Sequence, residues 1–186
     1  MSTLLYKGLL KKDLIIASNK FSQIKNMIYQ DLEKSLYKYD EENDVVLIEF
    51  GDVKHTKRNY RIVDDNNYIV VKFSFKAYYF KPEYNKSLFA NIVELTENSI
   101  NISFYGICNG VVIFGNDSKN NNDLIYNFDN SSFDKEKYYT ANLTYANKIN
   151  IKLDVNSLIS VVIVDKIITM SNDILLICNI NLSEYK

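Results

Sequence analysis

Residues Tyr68 to Pro82, YIVVKFSFKAYYFKP, carry the longest uninterrupted two-residue alternation in the chain. Apolar side chains recur at Ile69, Val71, Phe73, Phe75, Ala77 and Tyr79, and Lys72, Ser74 and Lys76 fall between them. A period of two puts the first set on one face of a strand and the second on the other, so this stretch predicts one long half-buried strand. At its end Tyr78, Tyr79 and Phe80 make both faces apolar. Pro82, the only proline, lacks the amide hydrogen a ladder needs and holds Lys81 extended. The chain is expected to change direction there, with the strand's far end entering an interface between two lobes.

The segments before this strand alternate strand and helix. Leu9 to Ile16 predicts a short first strand, after which Ser18 or Asn19 is placed to cap a helix. Phe21, Ile24, Ile28, Leu32 and Leu36 follow in steps of three and four, one apolar stripe on an amphipathic helix. Its polar side mixes both charge signs, which fits packing on a sheet rather than lying on a membrane. Tyr39 to Asp44 reads as a polar exit loop, Val45 to Phe50 as a strand and Gly51-Asp52 as a turn. Lys54 to Arg61, KHTKRNYR, is the most basic run and holds the sole histidine, His55; a surface turn is expected, with a phosphate or nucleic-acid contact as the alternative. Asp64-Asp65-Asn66-Asn67 is a turn into the long strand.

After Pro82 the helical period disappears. Ser87 to Leu95, Ile100 to Tyr105 and Val111 to Phe114 predict short strands, as do Ile149 to Val155, Leu158 to Ile168 and Ile174 to Leu182. Ser171-Asn172-Asp173 makes the last two a hairpin. Between these sets, residues 115–148 are polar and low in complexity, and are expected to form an inserted loop with little core. Short strands with no helix between them suggest a small barrel. With 186 residues the chain can bury one large core or two small ones. Its apolar content is mostly Ile, Val, Leu, Tyr and Phe, with 5 glycines and no tryptophan, which favours sheet.

Candidate chemistry is sparse. There are 22 basic and 23 acidic residues, so no whole-chain field attracts nucleic acid or an acidic membrane, and any such binding must be local. Cys108 and Cys178 lie in apolar strand-like runs, and buried reduced thiols are expected rather than a disulfide or a zinc site. The start, MSTLLYKGLLKKDLII, is too interrupted by charge for a signal peptide. No apolar run approaches the roughly 20 residues of a membrane span, and an intracellular chain is expected. No phosphate-cradling glycine loop, HExxH, paired CxxC or GxSxG occurs, so no catalytic residue and no cofactor is assigned. Aromatic residues stand beside basic ones from Phe73 to Lys81 and at Phe104-Tyr105. Rings on a barrel face can stack single-stranded bases, although core packing accounts for most of the tyrosine and phenylalanine. Asparagine and lysine are abundant along the chain, so the asparagine runs carry little functional weight.

The order helix, strand, turn, long strand ending in Phe80-Lys81-Pro82, then a barrel opening SLFANIVELTENSINI, resembles the stalk subunit of multisubunit RNA polymerases. That family includes the larger stalk protein of the archaeal enzyme and the seventh subunit of RNA polymerase II. Gly106-Ile107-Cys108-Asn109-Gly110-Val111-Val112-Ile113 is similar to the G-x-x-N-small-x-I pattern of the polymerase I member. The chain departs from the family in having Glu83-Tyr84-Asn85-Lys86 where a glycine soon follows the proline, and Val155-Asn156 for a Val-Gly pair.

The resemblance implies an α+β fold in two domains. Residues 1–82 would be a truncated ribonucleoprotein-like tip domain, and residues 83–186 an S1-type OB barrel carrying the insertion. It implies a noncatalytic subunit of a nuclear DNA-directed RNA polymerase, closest to polymerase I in the nucleolus, serving rRNA synthesis. Tyr79, Phe80, Lys81 and Pro82 would form the domain junction docked on the core, and Phe104 and Tyr105 would contact nascent RNA. The implied partners are the other polymerase subunits, a smaller second stalk subunit and a polymerase I initiation factor. The competing readings are the same subunit of polymerase III or II, or a free-standing single-stranded RNA-binding OB protein.

Overall fold

A computed structural model describes residues 4–63, 67–114, 124–129, 140–145 and 149–185. The described chain is mostly strand, with one α-helix, and falls into two compact units. One is Thr3–Pro82 together with Thr169–Asp173; the other is built on Glu83–Ile168 and Ile174–Lys186. Among the described residues no helix is long and apolar enough to cross a membrane.

In the first unit β1 (Leu5–Ala17), β3 (Val45–Val63) and β4 (Tyr68–Phe80) form an antiparallel sheet with the two-residue β2 (Tyr39–Asp40), in the order β1-β4-β3-β2. The alternation in β4 holds as read: Ile69, Val71, Phe73, Phe75 and Ala77 are buried, while Lys72 and Lys76 are exposed. β4 pairs without a break from Leu5↔Phe80 to Ala17↔Tyr68. The buried face meets Ile24, Ile28 and Leu32 of α1 (Ile24–Ser35), whose spacing of four keeps them on one side. Phe21 does not join that stripe. Ser18–Gln23 is a 3₁₀ turn, whose three-residue period breaks the phase, and the Phe21 ring is 44% exposed, edge-on to Tyr60. Nor does Ser18 or Asn19 cap the helix; its N-cap is Gln23, with no side-chain hydrogen bond.

Two further expectations for this unit change. The strand at Val45 runs on to Val63, so Gly51-Asp52 and the basic run are not turns. The extra residues are absorbed as register shifts: Asp52 takes φ 46°, and residues 56–59 stand opposite Lys72 alone, between the pairs His55↔Phe73 and Tyr60↔Val71. Tyr78, expected at an apolar interface, is 45% exposed, with the Lys7 ammonium 4.8 Å above its ring.

The second unit is a closed barrel of β5 (Ser87–Leu95), β6 (Ser99–Phe104), β7 (Cys108–Ile113), β12 (Ile174–Ile180) and β11 (Leu158–Ile168), in that order around the wall. Every neighbouring pair is antiparallel except β7–β12, which is parallel. This is an OB-like barrel. Leu88, Ile92, Ile100, Ile102, Phe104, Val161, Ile163, Leu176 and Cys178 fill it.

The insertion is not a structureless loop. β8 (Leu124–Asp129) and β9 (Thr140–Tyr145) pair with β10 (Ile149–Asp154), which is thereby drawn out of the barrel into a three-stranded sheet. Register aligns Tyr126, Leu143 and Ile151 on one face, and next to them Phe128, Ala141 and Leu153. Ala141, Leu143 and Leu153 are buried, and Tyr126 donates a 2.8 Å hydrogen bond to the Thr96 carbonyl while stacking on Phe114 at 4.2 Å. The period of two within each six-residue strand puts these apolar residues on one face and supplies that core. Residues 115–123, 130–139 and 146–148 lie outside the described residues.

Candidate interaction surfaces

Tyr79, Phe80, Lys81 and Pro82 close the first unit. The Tyr79 ring is partly buried and stacks on Tyr6 at 5.9 Å, Phe80 is wholly buried, and the Lys81 amide donates to the Leu4 carbonyl at 2.9 Å. Pro82 is buried as well. Two of the four residues expected to dock on a partner therefore hold their own unit together, and only Tyr79 and Lys81 keep part of their side chains at the surface.

In the barrel Phe104 and Tyr105 separate. Phe104 continues the inward phase of Ile100 and Ile102 and has 0% exposure, so it offers no ring to a base; its assignment as an RNA contact is corrected to a core role. Gly110 lies against that ring: a Cβ there would stand 2.8 Å from Phe104 Cε2, 3.1 Å from Ile102 Cγ1 and 3.2 Å from the Leu176 carbonyl oxygen. Tyr105 sits at the tip of the β6–β7 hairpin, 44% exposed. It and Gly106 take φ 56° and 70°, and Ile107 N–H bonds the Phe104 carbonyl at 2.9 Å. Two consecutive positive φ angles turn the chain within the three-residue connection that joins Phe104 to its partner Cys108.

Across β5, β6 and β7 the outer wall aligns Asn91, Ser103 and Asn109 in one row and Glu94, Asn101 and Val111 in the next. These rows hold one carboxylate and no cation, so nothing in them attracts phosphate.

The two thiols are free and buried. Burial pushes both up from 9.0 to about 12, that of Cys178 with an added contribution from Cys108. A buried thiol that stays protonated is a poor nucleophile. It also ties stability to alkaline pH. The unfolded thiols lose their protons from about pH 9 while the folded ones retain theirs, so folding stability is complete below 9 and falls as pH rises towards 12. Each thiol contributes about 1.4 kcal/mol per pH unit in that window. The expected result is an unfolding midpoint that drops between pH 9 and 11 in the parent chain and visibly less in a Cys108→Ala/Cys178→Ala variant; parallel curves for the two would refute it.

In the first unit a cleft of about 480 Å³ is lined by Lys12, Lys34, Lys38, Asp40, Glu41 and Glu42 among others. Two of its lysines are held in ion pairs, Lys12 with Asp31 at 2.8 Å and Lys38 with Asp173 at 2.6 Å. His55 is likewise occupied, its Nδ1 2.9 Å from the Tyr60 hydroxyl. Among the described residues no group of three His, Cys, Asp or Glu side chains could hold a metal ion.

The overall balance of charge also conceals where the charge lies. Residues 1–82 hold 14 basic against 11 acidic residues, and residues 83–186 hold 8 against 12. Lys7, Lys11, Lys54, Arg61, Lys72 and Lys76 share the sheet face that turns away from α1, whereas Lys12 pairs with Asp31 on the helix side. No protein-family model matches the chain, and no curated protein sequence matches it either.

Proposed function

We propose that this chain is a noncatalytic stalk subunit of a DNA-directed RNA polymerase, docking through its N-terminal, truncated ribonucleoprotein-like unit and carrying an S1-type OB barrel. The observation that supports this reading most is the succession of elements. β1, α1, β3 and β4 make one unit that ends at Phe80-Lys81-Pro82, and an OB-like barrel with the single parallel pair β7–β12 follows at once. The two departures from the family pattern support it too. Asn85, within the stretch that lacks the family's glycine, and Asn156, in the Val155-Asn156 pair, have φ 59° and 66°. Asparagine enters the left-handed region more readily than other residues with a side chain, so the turns survive loss of the glycine.

Among the nuclear enzymes, the segment Gly106–Ile113 resembles that of polymerase I. Purification of the tagged chain under native conditions tests both levels. The expected result is co-elution with the two largest polymerase subunits and a smaller stalk partner, and the largest subunit recovered identifies the polymerase. Recovery of RNA or ribosomal proteins without polymerase subunits would overturn the reading in favour of a free-standing OB module.

A further inference from the structure

The outer face of the N-terminal sheet is a basic exposed surface. Successive cross-strand rows on that face read Lys7–Tyr78–Glu49, Lys11–Ser74–Lys54 and, towards the other end, Ile15–Val70–Arg61. Lys72 and Lys76 stand between these rows on β4. Six cations thus share a face with three carboxylates, Asp13, Glu49 and Asp52. Two of the carboxylates are taken by Lys72–Asp13 at 3.1 Å and Lys76–Asp52 at 2.6 Å. Lys11, Lys54 and Arg61 are exposed and form no ion pair among the described residues.

The face also carries rings. Tyr78 and Tyr68, at the two ends of β4, are 45% and 48% exposed. Leu9 lies open between Lys7 and Lys11, and Ile15 lies open beyond Asp13. A surface that sets Lys11, Lys54 and Arg61 along its strands beside the Tyr68 ring and open aliphatic side chains offers what a single-stranded polynucleotide needs: charge for the phosphates, flat apolar surface for the bases. An acidic protein patch would use the cations but leave the rings and the open Leu9 and Ile15 without a counterpart. A duplex presents no unstacked bases to them.

We infer that this sheet face, and not the barrel wall, is where the chain binds single-stranded RNA. Lys11, Lys54 and Arg61 contact phosphates, and Tyr68 stacks a base. The inference does not rest on the polymerase assignment, because it concerns the purified chain alone.

The test is fluorescence anisotropy of the full chain with a labelled oligouridylate, titrated at several salt concentrations. The Lys11→Glu/Lys54→Glu/Arg61→Glu variant is expected to bind at least about tenfold more weakly near 50 mM salt, and its salt slope to fall by about 2. Tyr105→Asn, which preserves the hairpin turn on the barrel, is expected to bind as the parent does. All three substituted cations are exposed, so an unchanged melting curve separates lost binding from lost folding. Tyr68→Ala should weaken binding with its salt slope unchanged, the mark of lost stacking. Three results overturn the inference: parent-like affinity in the triple variant, loss of affinity in Tyr105→Asn alone, or a parent chain that retains an acidic protein but no oligouridylate. None of these touches native co-purification with polymerase, which stands or falls separately.

Discussion

Phe73→Asp is expected to unfold the N-terminal unit under conditions where Lys72→Asp melts close to the parent. The two positions are adjacent in β4 and receive the same side chain, so sequence neighbourhood and strand propensity cancel. Only the face differs. Phe73 is 3% exposed, in the cluster formed by Ile28, Leu32, Val71 and Phe75, and its ring lies 5.8 Å from that of Phe75. Its replacement removes a large apolar side chain, at about 3–5 kcal/mol, and leaves a carboxylate that must be buried or force the helix away. Against a total stability on the order of 5–15 kcal/mol, that is enough to empty the folded state. Lys72 loses only its surface pair with Asp13, whose partners are 62% and 40% exposed. Such a pair contributes about 1 kcal/mol or less. Thermal melting by circular dichroism, with hydrogen exchange to assign the loss to residues 4–82, measures the contrast; equal midpoints would mean that β4 is in the opposite register.

Gly110→Ala should be the most damaging small change in the barrel. The added methyl meets the buried Phe104 ring at 2.8 Å and the backbone carbonyl of Leu176 at 3.2 Å. Neither can move far: the ring is enclosed on the inside of β6, and the carbonyl belongs to the strand that pairs in parallel with β7. Overpacking of this kind costs about 1–3 kcal/mol. The cause can be separated from loss of glycine flexibility, since Gly110 does not sit at a positive φ. Shortening the ring by Phe104→Leu should therefore restore part of the stability in the Gly110→Ala background while lowering it in the parent. Additive losses in the double variant would show that the methyl and the ring do not meet.

The register of β4 was legible because its apolar and charged residues alternate without interruption, and any slip would bury a lysine. Phe104 carried an equally clear signal in its phase with Ile100 and Ile102. Reading it beside Tyr105 as an aromatic pair obscured that phase, since neighbours on a strand face opposite ways. β8 and β9 were hidden by composition: their six-residue alternations are flanked by asparagine and lysine runs, and polarity averaged over a loop-sized window erases them. The continuation of β3 through Gly51-Asp52 could not be read locally, because that pair ordinarily ends a strand. Only its pairing with the uninterrupted β4 makes it a bulge. The basic sheet face required the register before its rows could be assembled. Its early traces were the basic run Lys54 to Arg61 and the aromatic and basic residues side by side from Phe73 to Lys81.

The parallel pairing of β7 with β12 also sets a clock on biosynthesis. β5, β6 and β7 can zip up as neighbours as soon as they leave the ribosome, but β7 then has to wait while everything from Phe114 to Asp173 is made before its second partner arrives. At about 5–20 residues per second that interval lasts several seconds, long compared with hairpin formation. During it, β7 and the incoming β11 each show an unpaired hydrogen-bonding edge, the kind of edge to which other nascent chains can add. A ribosome stalled before Ile174 would release a barrel with a slot the width of one strand, so the last strand determines whether the product is a monomer or a seed for aggregation.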